Sequence, residues 1–181
     1  MALTKKWVSN IIFGVLIALL LIPQTRVYFL KFLSFSPRTV AVEKRVTLTN
    51  YDWQLKGVNT TDFNFKAVEG KVAIVNFWAT WCMPCVAEMP SLQYLYEDYK
   101  DKVVFILVTS DTPDKVNPFM TEKAFTLPVY NNYTQPLPEF ETQTIPRTFL
   151  IDKQGQIVVD AGRADWNTKK TRRLLDDLLA Q

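Results

Sequence analysis

The sequence predicts an α/β domain, because buried strands and helices alternate along most of the chain. Two runs, residues 72–77 and 103–109, are apolar except for Asn76 and Thr109 and rich in β-branched side chains, as expected of central strands buried on both faces. A helix-like segment follows the first run and ends near Tyr99. Residues 168–180 form an amphipathic helix with leucines on one face. Such alternation is typical of a sheet covered by helices.

The remaining elements are shorter, and turn residues separate them. Pro113 fits the first position of a helix, so Asp111 just before it is interpreted as a helix N-cap rather than a site residue. Residues 152–155, Asp-Lys-Gln-Gly, form a good hairpin turn between the last two strands. The short elements expected are strands at 46–55, 60–65, 127–130, 148–151 and 156–160, and helices at 111–124 and 137–141.

The positive charge of the chain is concentrated at its start. The 181 residues include 21 Lys and Arg and 18 Asp and Glu, a formal net charge of +3. Residues 1–40 hold five basic residues and no acidic one, which leaves 16 basic residues against 18 acids in the rest. That part has no basic patch, which argues against nucleic acid as a partner. The chain has no histidine, so acid–base chemistry near neutral pH must fall to carboxylates, thiols or water.

Residues 7–22 are sixteen residues without a charge, and they predict a membrane anchor. A helix of this length spans about 24 Å, short of the roughly 30 Å hydrocarbon layer. Extension past Pro23 to Tyr28 gives the needed length, so residues 7–28 are expected to contact the lipid bilayer. A cleaved signal peptide is one alternative, but residues 22–26 lack the small side chains of a cleavage site. A buried core helix is another, but this segment is apolar all round rather than along one stripe.

The flanking charges give an orientation and a division of the chain. Lys5 and Lys6 favour the cytoplasmic side, although basic residues also follow the apolar run. Residues 27–35 are aromatic and fit either a membrane-surface segment or the second half of a kinked transmembrane helix. We therefore expect a membrane anchor with an interfacial segment (1–35), a linker (36–45) and one globular domain (46–181) that is monomeric.

Cys82 and Cys85 are the only cysteines of the chain, and they lie on the step from a strand into a helix. Unpaired N–H groups and the helix dipole stabilise a thiolate there, which can lower the pKa of a cysteine from about 8.5 to about 3.5–7.5. Cys85, one turn along, can then attack a mixed disulfide on Cys82 and release the product. Half of a zinc site is the alternative, but no histidine or further cysteine could complete it. The pair therefore predicts a redox site without metal or cofactor.

The residues around the cysteines resemble thioredoxin. The resemblance rests on Phe-Trp-Ala-x-Trp-Cys-x-Pro-Cys at 77–85 and on residues 144–152, which resemble the strand carrying the cis-proline of that family. The resemblance is narrowed to the membrane-anchored TlpA/ResA-like branch of the family by Glu-Met-Pro at 88–90 and by the extended run before residue 72. The resemblance covers about residues 46–181. It implies a thioredoxin-like three-layer fold with a central mixed β-sheet, here preceded by an N-terminal transmembrane helix.

The resemblance also implies how a substrate binds. Pro146 is expected to be cis, which would place Ile145 beside the cysteines with its backbone free to pair with an extended substrate strand. Trp81 abuts Cys82 and is expected either to line the partner-binding surface or to pack around the strand end. For Trp78 we expect packing.

Proton transfer is assigned to Glu88. Asn76 stands where ordinary thioredoxin carries a buried acid, six residues before the first cysteine, and an asparagine cannot transfer a proton. The other solution in the family is an acid three residues after the second cysteine, which is the position of Glu88. The alternative is a solvated glutamate on the helix face. With no histidine in the chain, we favour a catalytic role for Glu88 beside Cys82 and Cys85.

The residues and the resemblance together predict a thiol–disulfide oxidoreductase tethered to a bacterial-type inner membrane, with its domain on the periplasmic side. Met83 between the cysteines is uncharged, which favours a reductant over a strong oxidant. The expected partners are protein disulfides, first those of apocytochrome c before haem attachment, and a membrane thiol–disulfide electron donor. A general disulfide oxidant or isomerase, a thiol peroxidase and a metal-delivery protein are the alternatives.

Overall fold

The computed structural model describes residues 2–21 and 36–181 of the chain. Helix α1 spans Ala2–Leu21, and the side chains of Trp7 and Phe13 on it are exposed. Within the two described ranges, no helix combines the length and the apolar character needed to cross a membrane. The predicted transmembrane segment is therefore not confirmed. Its part beyond Leu21, together with the interfacial segment up to residue 35, lies outside the described residues.

A mixed sheet of seven strands forms the centre of the domain. The spatial order is β2-β1-β5-β4-β3-β6-β7. The β3–β4 and β4–β5 pairs are parallel, and the other pairs are antiparallel. The strands are β1 (Gln54–Gly57), β2 (Phe63–Asn64), β3 (Ala73–Phe77), β4 (Val104–Val108), β5 (Val129–Asn132), β6 (Arg147–Ile151) and β7 (Ile157–Ala161). The predicted central mixed sheet is confirmed, and its two apolar runs occupy the middle.

Helices follow three of the strands. Helix α2 (Met83–Tyr99) follows β3, α3 (Pro113–Glu122) follows β4, and α4 (Lys169–Ala180) follows β7. Short 3₁₀ helices occur at Val42–Lys44, Phe65–Val68 and Pro138–Phe140. The strand-to-helix step at the cysteines is therefore that of β3 into α2.

Alternate side chains of the central strands feed two cores on opposite faces of the sheet. In β3, Ile74 belongs to one core and Ala73 and Val75 belong to the other. The first core includes the apolar faces of α2, α3 and α4. The second is aromatic, with ring centroids 5.2–5.6 Å apart among Trp53, Phe65, Phe140 and Phe149. The 3₁₀ helices carry two of these rings, Phe65 and Phe140, and so cover part of this face.

Most predicted elements are present, and the differences in their bounds have physical reasons. The strand expected at 46–55 is wrong for most of its length, because β1 begins only at Gln54 and Thr47 instead makes a single bridge to Gln156 at the other end of the sheet. Helix α3 ends before residue 124, since Ala124 has a left-handed backbone with φ of 53°. The helix expected at 137–141 is a 3₁₀ helix.

Residues 36–48 run beside β7. The N–H of Val40 donates to the carbonyl of Val158 at 2.7 Å, and the N–H of Ile157 donates to the carbonyl of Val46 at 2.8 Å. These contacts partly cover an otherwise open sheet edge. The boundary between the predicted linker (36–45) and the domain (46–181) stays a prediction.

Candidate active site

The two cysteines lie where β3 leads into α2. Cys82 is the N-cap residue of α2, and its Sγ accepts a hydrogen bond of 3.3 Å from the backbone N–H of Cys85. The sulfurs form a disulfide, and the Cα atoms are 5.2 Å apart. Cys85 has no exposed surface, whereas Cys82 keeps 5% of its surface exposed. Of the two cysteines, Cys82 is therefore the one that keeps surface open to a partner.

The start of α2 favours a thiolate at Cys82 once the disulfide is reduced. The 17-residue helix directs its unpaired N–H groups and the positive end of its dipole towards this residue. Pro84 lies in the first turn, where its missing N–H costs little. The N–H of Cys85 already points at the Cys82 sulfur, and its bond would strengthen with a charged acceptor.

The residues predicted to bind substrate lie next to this pair. The Ile145–Pro146 peptide bond is cis, as the resemblance implies. Ile145 and Trp81 line one cavity of about 120 Å³. Trp81 is 71% exposed, which favours a partner surface over packing. Trp78 is buried and packs on Phe119 with ring centroids 5.6 Å apart, so its predicted packing role is confirmed.

Glu88 is buried inside the domain, with only 1% of its surface exposed. Its Oε1 accepts a hydrogen bond of 2.9 Å from Asn76 Nδ2, and its Oε2 accepts one of 3.2 Å from the backbone N–H of Ala164. Glu88 lies three residues after Cys85 on α2, so the two side chains occupy neighbouring positions on the helix. The alternative of a solvated glutamate is therefore wrong.

Burial raises the pKa of Glu88 from 4.5 to about 7, because the ionised carboxylate loses more solvation than the neutral acid. The hydrogen bonds from Ala164 and Asn76 favour the ionised form and lower the pKa in turn. The carboxyl can therefore hold or release a proton near neutral pH, a task that histidine performs in many other sites.

The partners of Glu88 from outside its helix were missed by sequence reasoning. Asn76 Nδ2 also donates to Thr148 Oγ1 on β6 at 2.7 Å. Ala164 lies 76 residues away from Glu88 in the chain, and no motif connects the two. The available signal was Asn76 itself, since a polar side chain inside a buried strand requires hydrogen-bond partners.

Asp111 is not the helix N-cap that the sequence suggested. Thr112 is the N-cap of α3, and Asp111 Oδ2 instead accepts hydrogen bonds from the N–H of Thr80 at 2.7 Å and from its hydroxyl at 2.9 Å. Asp111 is buried and lines the same cavity as Trp81 and Ile145. It holds the segment just before Cys82, a contact between residues 31 apart that the local pattern could not show.

The geometry suits exchange of two electrons between cysteine pairs. One cysteine keeps a small exposed surface, the other is enclosed, and a protonatable carboxyl lies on the helix that they begin. Within residues 2–21 and 36–181, no three metal-ligating side chains lie close enough together to hold an ion.

A cysteine pair at the start of a helix beside a cis-proline, on a mixed sheet of this order, defines a redox protein of the thioredoxin class. Over residues 47–159, more than half of its length, the sequence matches the AhpC/TSA family model, and the chain belongs to that family.

Its relatives include ResA proteins. The thiol-disulfide oxidoreductase ResA of Oceanobacillus iheyensis is 37% identical over 113 residues, and the match spans 59% of each protein. ResA of Geobacillus kaustophilus is 32% identical over 143 residues, 77% of this chain and 81% of the relative. The predicted ResA-like resemblance is confirmed.

A solved structure shows the same fold. The structure of a DsbF homologue from Corynebacterium diphtheriae superimposes with a TM-score of 0.64 at 18% identity, and covers 79% of this chain and 93% of that one. The predicted thioredoxin-like fold is confirmed.

The raised pKa of Glu88 predicts how stability changes with pH. The folded state binds the proton of Glu88 more tightly than the unfolded state does, so protonation stabilises the fold. This stabilisation is complete below pH 4.5 and is lost as pH rises through about 7. We expect the loss to reach roughly 3 kcal/mol. Urea unfolding of the oxidised protein between pH 5 and pH 8 should show a steeper decline for the wild type than for Glu88→Gln. Parallel profiles of the two proteins would mean that the folded carboxyl titrates normally.

Proposed function

We propose that this protein is a thiol–disulfide oxidoreductase that reduces disulfides in other proteins. One observation carries the proposal. Cys82 lies at the helix N-cap and its sulfur accepts a hydrogen bond from the N–H of Cys85, while Cys85 is fully enclosed. A pair arranged in this way divides into an attacking and a resolving thiol. The names of the ResA relatives, thiol-disulfide oxidoreductase, are consistent with this reaction.

The reaction begins with the reduced pair. The Cys82 thiolate attacks one sulfur of a substrate disulfide, and the other substrate sulfur leaves as a thiolate that takes a proton from water. The thiol of Cys85 then gives its proton to the Glu88 carboxylate and attacks Cys82 Sγ. This step forms the Cys82–Cys85 disulfide and releases the second substrate sulfur as a thiolate, which takes a proton from water. Two electrons pass from the pair to the substrate, and an external dithiol donor must return them.

Trp81 and Ile145 provide the surface for the substrate in this proposal. Trp81 offers an exposed indole, and Ile145 borders the same cavity just before the cis-proline. An extended segment carrying the target disulfide could pair with the backbone there. Apocytochrome c before haem attachment is our first candidate substrate, on the strength of the ResA-like resemblance.

The domain is proposed to be tethered to a bacterial inner membrane on its outer side. The support is the sequence of α1, where residues 7–21 carry no charge and the described apolar side chains are exposed. Lys5 and Lys6 precede this run, which fits a cytoplasmic start. A membrane-bound dithiol donor would then be the neighbour that re-reduces the pair.

Alkylation and trapping test which cysteine attacks the substrate and which resolves the mixed disulfide. Because Cys82 is at the helix start and Cys85 is enclosed, the reduced protein should be alkylated at Cys82 at least about tenfold faster at pH 7. Peptide mass spectrometry measures the two rates. Cys85→Ser should accumulate a mixed disulfide with a model protein substrate, and Cys82→Ser should not. Equal labelling of the two thiols would contradict the assignment of Cys82 as the attacking thiol. Trapping by Cys82→Ser alone would reverse the two roles.

The reduction potential tests the direction of the reaction. The uncharged Met83 gives the Cys82 thiolate no cationic neighbour between the cysteines, so we expect a potential near −270 mV rather than near the oxidant value of about −120 mV. Titration in glutathione buffers, with the disulfide read by alkylation, gives the value. A result at the oxidant end would make the protein a disulfide donor.

Fractionation tests the tether. The full chain should stay in the membrane pellet after an alkaline carbonate wash, and a C-terminal alkaline phosphatase fusion should be active. Phe13→Lys places a charge within the apolar run and should release a substantial part of the protein, because a central lysine costs about 2.5–3.5 kcal/mol in a membrane helix. Full release of the wild type by carbonate, or activity only of a cytoplasmic reporter, would contradict the tether.

A further inference from the structure

Asn76 is a buried polar residue in the middle of the sheet, next to the carboxyl of Glu88. It has no exposed surface. Its Nδ2 donates both of its hydrogens, one to Glu88 Oε1 at 2.9 Å and one to Thr148 Oγ1 at 2.7 Å. Its Oδ1 is buried and has no hydrogen-bond donor among the described residues. Of these three side chains, the amide of Asn76 and the hydroxyl of Thr148 can each donate or accept a hydrogen bond.

We propose that Asn76 and Thr148 form a reversible hydrogen-bond pair that positions Glu88 and binds it in both its ionised and its neutral form. The proposal rests on the proposed function in one respect, the use of Glu88 as the group that takes the proton of Cys85. It assigns Asn76 the role of a positioning residue, which acts through Glu88 and touches no substrate.

The geometry of Glu88 decides which of its oxygens can carry the proton. Oε2 accepts the backbone N–H of Ala164, which is a permanent donor and cannot reverse. Oε1 faces the amide of Asn76. Oε1 is therefore the oxygen whose partner can change from donor to acceptor, and a proton placed between Oε1 and Asn76 requires the amide to offer its oxygen instead of an N–H.

Rotation of the amide by 180° supplies that oxygen. The carbonyl and amino groups of an asparagine are nearly equal in size, so the rotation exchanges donor and acceptor without a change of shape. Asn76 Oδ1 would then accept the O–H of neutral Glu88 and the hydroxyl of Thr148. The amino group would move to where Oδ1 now lies, a position that no hydrogen-bond donor among the described residues reaches.

The groups that face Glu88 from other elements are uncharged. They are Asn76 from β3, Thr148 from β6, the backbone of Ala164 and the side chain of Trp166. Arg163 and Asp165 flank Ala164, and among the described residues neither forms a hydrogen bond or an ion pair with Glu88. On its own helix the nearest titratable group is Cys85. The direction of the hydrogen bonds therefore decides which form of Glu88 is preferred, besides burial.

Infrared spectroscopy of the full-length protein tests the proposal without using activity. The wild type should show one buried carboxylic acid C=O band that is lost as pH rises through about 7 and that is missing in Glu88→Gln. In Asn76→Leu, ionised Glu88 loses the hydrogen-bond donor of Asn76, and neutral Glu88 loses the acceptor that the rotated amide would supply. Because bonds to a charged group are the stronger ones, the midpoint should rise by about one unit or more. The C=O band should also move to the frequency of an acid that donates no hydrogen bond.

Two variants keep the test decisive if Asn76→Leu does not fold. Asn76→Asp has the same shape and places two carboxyls on one hydrogen bond, so they should titrate in two well-separated steps. Asn76→Asp with Glu88→Gln exchanges the acid and the amide and should restore a single titration. Independent titration in Asn76→Asp, or an unchanged C=O frequency in Asn76→Leu, would overturn the proposal.

Kinetics separate this proposal from the proposed function. At pH 7 the raised midpoint would leave Asn76→Leu with less ionised Glu88, and closure of the Cys82–Cys85 disulfide should slow by about fivefold and recover at higher pH. Attack by Cys82 on the substrate should be unchanged. A wild type that reduces disulfides, with an Asn76→Leu variant of identical pH profile, would refute the positioning role alone. A wild type that reduces none would refute the function.

Discussion

The turn from β3 into α2 is fixed from several sides, and the positions of both cysteines depend on it. Strand β3 is paired with β4 on one side and with β6 on the other. Beyond the strand, the N–H of Trp78 donates to Val108 and the carboxylate of Asp111 holds Thr80. The effect of a helix end on a thiolate falls off within the first turn, so a thiol placed one turn away would lose it. The position of the redox pair therefore depends on a backbone segment that several contacts hold in place.

The polar groups of Asn76, Glu88 and Thr148 are costly to bury, and this cost points to a use in function rather than in stability. Asn76, Glu88 and Thr148 are each at most 1% exposed, in a region where the neighbouring strand positions are apolar. Apolar residues of similar volume are often neutral or stabilising replacements for buried polar networks. Burial destabilises the charged form of the Glu88 carboxyl. Such a carboxyl provides a group that can be protonated.

The sequence was most informative where function and local structure coincide. The cysteine spacing and the two apolar runs predicted the step from β3 into α2, because each signal is contained in fewer than about ten residues. The cis bond before Pro146 was predicted by the resemblance. The contacts that shape the site join distant parts of the chain. Asp111 meets Thr80 across 31 residues and Glu88 meets Ala164 across 76. Such pairs follow from the order of strands in the sheet, which local periodicity does not encode.

The enclosure of Cys85 determines where its proton can go. Its side chain has no exposed surface, and a substrate bound through Cys82 would cover the remaining opening. The described residues include three buried carboxylates, those of Glu88, Asp111 and Asp152. Asp152 accepts backbone N–H groups within its own turn, and Asp111 is occupied by Thr80. Glu88 shares a helix with Cys85, and burial raises its pKa to about 7. In the proposed mechanism, Glu88 is therefore the one of the three that accepts this proton and returns it.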